Sequence, residues 1–99
     1  MAVKKAIEVA ESALIDLEEL RLWYAEQGVP EVGARFVVEI VRQIEQLALY
    51  PESGRIVPEL GLAAVRELIH PSFRVVYRVG ADRVWVVRVW RSERLLQMP

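Results

Sequence analysis

The sequence of 99 residues predicts an α+β domain with the element order β-α-α-β-β-β. Three observations carry that expectation. Two apolar stripes at helical spacing occupy the first half, separated only by Gly28-Val29-Pro30. Runs of β-branched and aromatic residues fill the last third, broken at two turn-sized points. A short alternating stretch precedes both. Such an order places an antiparallel helical hairpin on one face of a mainly antiparallel sheet.

Each element follows from local chemistry. Val3, Lys5, Ile7 and Val9 alternate with Lys4, Ala6 and Glu8, the period of an opening strand. Ser12 stands where a helix N-cap belongs, and Asp16 lies near the first turn, where a carboxylate favours the helix dipole. Ala13, Leu17, Leu20 and Tyr24 then recur on one stripe, and Gly28 suits the C-terminal cap. Pro30 suits the first turn of a second helix. Its stripe runs through Gly33, Val37, Ile40, Ile44 and Leu47 until Pro51 stops it after Tyr50.

Glu52-Ser53-Gly54-Arg55 reads as a turn and Val57–Gly61 as an irregular connection. Strands are expected at Val65–His70, Phe73–Val79 and Arg83–Trp90, joined into hairpins by Pro71-Ser72 and Gly80-Ala81-Asp82. On the middle strand Phe73, Val75, Tyr77 and Val79 form the natural core face, leaving Arg74, Val76 and Arg78 opposite. The last strand keeps no clean alternation, so its faces are not separable from the sequence.

Length and composition bound the function. The chain is one domain over residues 1–99, large enough for a core of its own. Without cysteine it has neither disulfides nor thiolate chemistry, and with one histidine it lacks the usual zinc patterns; no metal or cofactor is expected. No membrane-length apolar run and no signal-peptide pattern occur, so a soluble cytoplasmic protein is expected. At 54% hydrophobic the chain is apolar for its size. Leu14, Ile15, Leu22 and Trp23 on the first helix, and Phe36, Val38 and Val41 on the second, exceed what one buried stripe needs. Part of that surplus belongs to the seam between the helices and part to a docking face.

Charge is unevenly placed although the total is −1. Residues 1–52 hold ten acids and five bases, whereas residues 53–99 hold four acids and eight bases, all arginine. Glu18–Arg21, Glu31–Arg35 and Glu39–Arg42 are at ion-pair spacing, so the helical acids read as a solvated face. The basic residues of the second half thread the strands beside Phe73, Tyr77, Trp85 and Trp90. Guanidinium is a rigid planar fork suited to phosphate, carboxylate or aromatic partners. The other reading is that stems such as those of Arg78, Arg83 and Arg88 simply cover apolar strand. His70, before Pro71, reads as a turn residue, and no nucleophile–base motif, phosphate loop or dinucleotide fingerprint is present.

Taken together in order, these segments resemble the RelE/ParE superfamily of bacterial toxins from type II toxin–antitoxin modules. Ala13-x-x-Asp16-Leu17-x-x-Leu20-x-x-x-Tyr24 is similar to the family's first helix, and Pro30-x-x-x-Ala34-x-Phe36 through Tyr50-Pro51 to its second. Pro51-x-x-Gly54-Arg55-x-Val57-Pro58-Glu59-Leu60, Val65-Arg66-Glu67-Leu68 and Phe73–Val79 resemble the central block, and Val86–Arg94 the closing strand. The resemblance implies a cognate antitoxin whose C-terminal segment wraps the toxin in a heteromeric complex. Leu14, Leu22, Trp23, Phe36 and Val41 are the residues then expected to meet it.

It also implies one of two activities. ParE-type members poison DNA gyrase, and Arg74, Arg88, Trp90, Arg91 and Arg94 would engage that target. RelE-type members cut messenger RNA on the ribosome, and Arg74, Arg91 and Arg94 would then stabilise phosphate charge. A third possibility is an inactive member that only binds. The gyrase-directed branch fits better. No histidine stands near Trp90 or Arg91, no tyrosine follows Tyr77, and Val65-Arg66-Glu67-Leu68 lacks the lysines that ribonuclease members tend to carry there. A chain of net charge −1 is also poorly suited to ribosomal RNA.

Overall fold

Pro30 has no amide hydrogen to leave unpaired, and it opens α2 (Pro30–Gln46) at the first helical position. The preceding helix, α1 (Glu11–Glu26), ends at Gln27, after which Gly28 takes the left-handed φ of 82° that a β-carbon would oppose. The two helices are therefore joined by a few residues and pack as a hairpin. The computed structural model describes residues 4–92. Its remaining elements are β1 (Ala6–Val9), β2 (Arg55–Ile56), β3 (Val65–Ile69), β4 (Phe73–Val79) and β5 (Arg83–Arg91).

The strands form one sheet in the order β1-β5-β4-β3-β2. β1 runs parallel to β5, with Ile7 opposite Val84 and Val9 opposite Val86; the other pairings are antiparallel. The helical hairpin covers one face. Ala13 and Leu20 from α1, Ile40 and Ile44 from α2, and Leu47 just after it meet Phe73, Val75, Tyr77, Val84, Val86 and Val89 in a core from which water is excluded. Burial of these side chains at about 1.5–3 kcal/mol each drives the packing.

Two expectations are corrected. The N-cap of α1 is Ala10, and no side chain caps that end. The Ser12 hydroxyl instead donates to the Val87 carbonyl at 2.6 Å. The turn expected at Glu52–Arg55 leads into the two-residue strand β2, which pairs with Arg66 and Glu67 of β3. A two-residue edge strand is too short to leave a period in the sequence.

The β2 end is held by Tyr77. Its buried hydroxyl donates to the Pro51 carbonyl at 2.8 Å and accepts the Gly54 amide at 2.9 Å. Burial raises the Tyr77 pKa above the ordinary 10.0, against the opposing effect of the Gly54 hydrogen bond. Gly54 is required by close approach: a β-carbon there would stand 2.6 Å from both the Glu67 carbonyl oxygen and the Tyr77 hydroxyl.

Candidate functional site

The face of the sheet away from the helices carries Arg74, Arg78 and Arg88. Across β4 and β5, Arg74 lies opposite Trp90, Val76 opposite Arg88, and Arg78 opposite Trp85. Guanidinium and indole thus alternate along the pair. The Arg78 guanidinium stacks 4.1 Å above the Trp85 ring, and that of Arg88 lies 4.8 Å from the Trp90 ring. Such contacts hold flexible arginine stems against the strand and keep the heads partly in water.

Two carboxylates organise the layer from below and from the side. Glu67 of β3 is buried, and it takes Arg55 Nε at 2.7 Å and Arg74 Nε at 3.4 Å. Asp16 of α1 is also buried and binds Arg88 through two hydrogen bonds, from Nε at 2.8 Å and Nη2 at 3.0 Å. The same carboxylate accepts the Val89 amide at 2.9 Å. Its bond to Arg88 raises that guanidinium's pKa, with partial burial acting in the opposite direction.

The register explains the missing alternation in β5. Tyr77 pairs with Val86 but Val76 pairs with Arg88, so Val87 is an extra residue, a β-bulge. Before it Val84 and Val86 face the core; after it Val89 does, while Arg88 and Trp90 face outward. Arg91 consequently lies on the helix side, opposite Phe73, and its guanidinium stacks 3.6 Å from the Trp23 ring. Arg74, Arg88 and Trp90 are thus brought together, and Arg91 is on the other face. Arg94 lies outside the described residues.

His70 and Tyr77 are engaged on the other side of the sheet. His70 Nδ1 accepts the Ser72 amide at 3.0 Å, which leaves the proton on Nε2, 3.0 Å from Glu39 Oε1. Its ring stacks on Phe73 at 4.2 Å, on the helix side of the sheet. Tyr77 is buried with both of its hydroxyl bonds satisfied, also on that side. Among the described residues no group of three or more His, Cys, Asp or Glu is placed to hold a metal ion.

On the helical layer, Leu14, Leu22 and Val41 are exposed at 54%, 45% and 39%, with Ile15 and Val38 also in water. Trp23 is half-buried beneath Arg91, and Phe36 packs among Tyr24, His70 and Phe73. Phe36 therefore serves the fold directly. Beside it a groove of about 1070 Å³ runs between α2 and the β3 edge, lined among others by Val38, Glu39, Arg42, Gln43 and Leu68.

Residues 7–96 match the model of the ParE toxin of the type II toxin–antitoxin system parDE. The chain belongs to the ParE toxin family. Solved structures agree with its fold. A chain of the chromosomal ParDE toxin–antitoxin system from P. aeruginosa is 23% identical, with a TM-score of 0.73 over 91% of this chain and 98% of that one. A chain of the toxin–antitoxin complex RelBE2 from Mycobacterium tuberculosis is also 23% identical, with a TM-score of 0.62 over 90% and 99%. The protein HP0894 from Helicobacter pylori is 20% identical, with a TM-score of 0.60 over 90% and 96%. No curated protein sequence matches. No helix among the described residues of this ParE-family chain is long and apolar enough to cross a membrane.

Asp16 and Glu67 were not legible as parts of the site. Asp16 is read from the sequence as a dipole-facing acid, yet it falls on the same helical stripe as Ala13 and Leu20, which is the signal of a buried carboxylate. Glu67 likewise alternates with Val65 and Ile69 on the outer face of β3. Each lies where only a charged partner makes burial tolerable.

Proposed function

We propose that this ParE-family toxin arrests growth by a protein-level grip on DNA gyrase, using the outward face of β4 and β5. Arg74, Arg88 and Trp90 form the contact. One observation carries this reading. The one histidine, His70, and Tyr77 are tied into the opposite side of the sheet, and the other tyrosines, Tyr24 and Tyr50, lie on α1 and just after α2, off β4 and β5. The exposed face offers instead guanidinium and indole groups already set in place by Glu67, Asp16 and one another. Pre-positioned arginine and tryptophan are the side chains that dominate tight protein contacts.

At rest the toxin is held by a cognate antitoxin, in a heteromeric complex, over Leu14, Leu22 and Val41 with Trp23 at their margin. The surplus of exposed aliphatic residues on the hairpin supports this, since water-facing leucine and valine at these positions stabilise nothing in the lone chain. The ParDE and RelBE2 structures, both named as toxin–antitoxin systems, support it too.

Expression without antitoxin is expected to produce filamentous cells with accumulated gyrase-linked DNA breaks. The fold likeness to a RelBE2 chain keeps a ribosome-dependent ribonuclease as the competing reading. Primer extension on translated messages separates the two, since cuts at ribosomal A-site codons would contradict the gyrase assignment.

A further inference from the structure

Beyond Val86, β5 has no strand on its β1 side, because β1 ends at Val9. The first turns of α1 take that place. Ala10 donates its amide to the Val86 carbonyl at 2.9 Å, Ser12 its hydroxyl to the Val87 carbonyl at 2.6 Å, and Asp16 accepts the Val89 amide at 2.9 Å. Ser12 and Asp16 are four residues apart and so lie on one helical face, aligned with the strand edge. A helix thus substitutes for a neighbouring strand over the stretch that contains the bulge.

The bulge decides what the last strand displays. With Val87 as the extra residue, Val89 enters the core and Arg88 and Trp90 point outward. If the strand instead paired without a bulge, Arg88 and Trp90 would turn toward the core and Val89 toward water, since a one-residue slip exchanges the two faces. Burying Arg88 among Phe73 and Val75 is prohibitive, so a β5 that loses its bulge would leave the sheet at this end. Among the described residues, Asp16 is the side chain that binds both Arg88, which follows the bulge, and the next amide, that of Val89.

We infer that Asp16 is a positioning residue for target engagement: it clamps the Val87 bulge and so fixes Arg88 and Trp90 on the outward face. The inference rests on the assignment of that face to the target. Its energetic basis is that a buried carboxylate carrying two guanidinium bonds and one amide bond is satisfied only when the bulge is in place.

The test compares wild type, Asp16→Ala, a deletion of Val87, and the two changes together. Deleting Val87 joins Val86 directly to Arg88, so every later residue keeps its present partner and face with no bulge to clamp. Two quantities are read: the protein concentration needed for gyrase–DNA cleavage, and amide hydrogen exchange along β4 and β5. Asp16→Ala should raise the required concentration roughly tenfold or more, as loss of positioning does, and speed exchange at residues 87–91 while sparing Val75 and Tyr77. Adding the deletion should restore both potency and protection.

An Asp16→Ala protein of wild-type potency, or a loss that the deletion does not repair, overturns the inference. If wild type itself leaves gyrase untouched, the functional assignment fails and exchange judges the clamp alone. Local acceleration repaired by the deletion then supports it, and uniform acceleration across both strands overturns it.

Discussion

Replacing Gly54 with alanine would set a methyl carbon 2.6 Å from the Glu67 carbonyl oxygen, 2.6 Å from the Tyr77 hydroxyl and 2.9 Å from Tyr77 Cε1. None of these neighbours yields easily. Glu67 is held in β3 between β2 and β4, and the Tyr77 side chain is wholly buried. The Pro51–Gly54 segment must therefore move outward, and it takes with it both hydrogen bonds of the Tyr77 hydroxyl. Two such bonds contribute about 1 kcal/mol each, and overpacking adds about 1–3 kcal/mol. A total of about 3–5 kcal/mol is a large share of the roughly 5–15 kcal/mol that stabilises a domain. It corresponds to a fall in Tm of about 12–40 °C for a chain of this size.

Urea denaturation of wild type, Gly54→Ala, Tyr77→Phe and the double variant measures this. Tyr77→Phe removes the hydroxyl, and with it one of the two 2.6 Å contacts. Both single changes lose the same two hydroxyl bonds, so the double variant should lose about 2 kcal/mol less than the sum of the single changes. A Gly54→Ala protein within about 0.5 kcal/mol of wild type, or strict additivity in the cycle, would refute the close-approach argument.

The same tyrosine sets an alkaline limit. Its pKa is raised in the folded state, so its contribution is complete below pH 10.0 and declines as pH rises from there through the folded value. Urea midpoints above pH 10 should fall more steeply in wild type than in Tyr77→Phe; parallel curves would contradict this. Serine at Leu14, Leu22 and Val41 should alter stability by under about 0.5 kcal/mol per site yet weaken antitoxin binding, as read by calorimetry. Unchanged affinity in the triple variant would place the antitoxin elsewhere. Glu67→Ala strips Arg74 and Arg55 of their shared carboxylate, but both guanidinium groups reach water, so the cost should be only about 1–2 kcal/mol. Its larger effect should be on potency against the target, because Arg74 loses its anchor. A variant of full potency would show that this anchor is dispensable.

Periodicity made most of the architecture legible. The boundaries of β4 follow the sequence residue for residue, because alternating Phe73, Val75 and Tyr77 coincide with a half-buried strand. Gly28 and Pro30 located the helical turn for the steric reasons that make those residues special. Long-range bonding was not legible. Ser12 carries the chemistry of a cap but finds the Val87 carbonyl within reach, a partner 75 residues away. Glu39 is at pairing distance from Arg42 in sequence, yet it meets His70 across the packing of α2 on the sheet.

The candidate site's residue types stand in the sequence, and its geometry does not. Arg74, Arg88 and Trp90 stand on one face of the sheet, but Arg91 is turned to Trp23 by a bulge that leaves only a broken alternation behind. A bulge is read from the partner strand's register, which no single strand contains. The two carboxylates that hold the arginines could be suspected only from acidic residues interrupting apolar positions.

The proposed action of the outward arginine–tryptophan face is on gyrase, by contact. Purified gyrase, supercoiled DNA and the isolated toxin test it with few components. Cleaved DNA should accumulate with wild-type toxin and not with an Arg74→Ala, Trp90→Ala protein of unchanged fold. Supercoiling and cleavage that stay unchanged with a preparation able to arrest growth would contradict it.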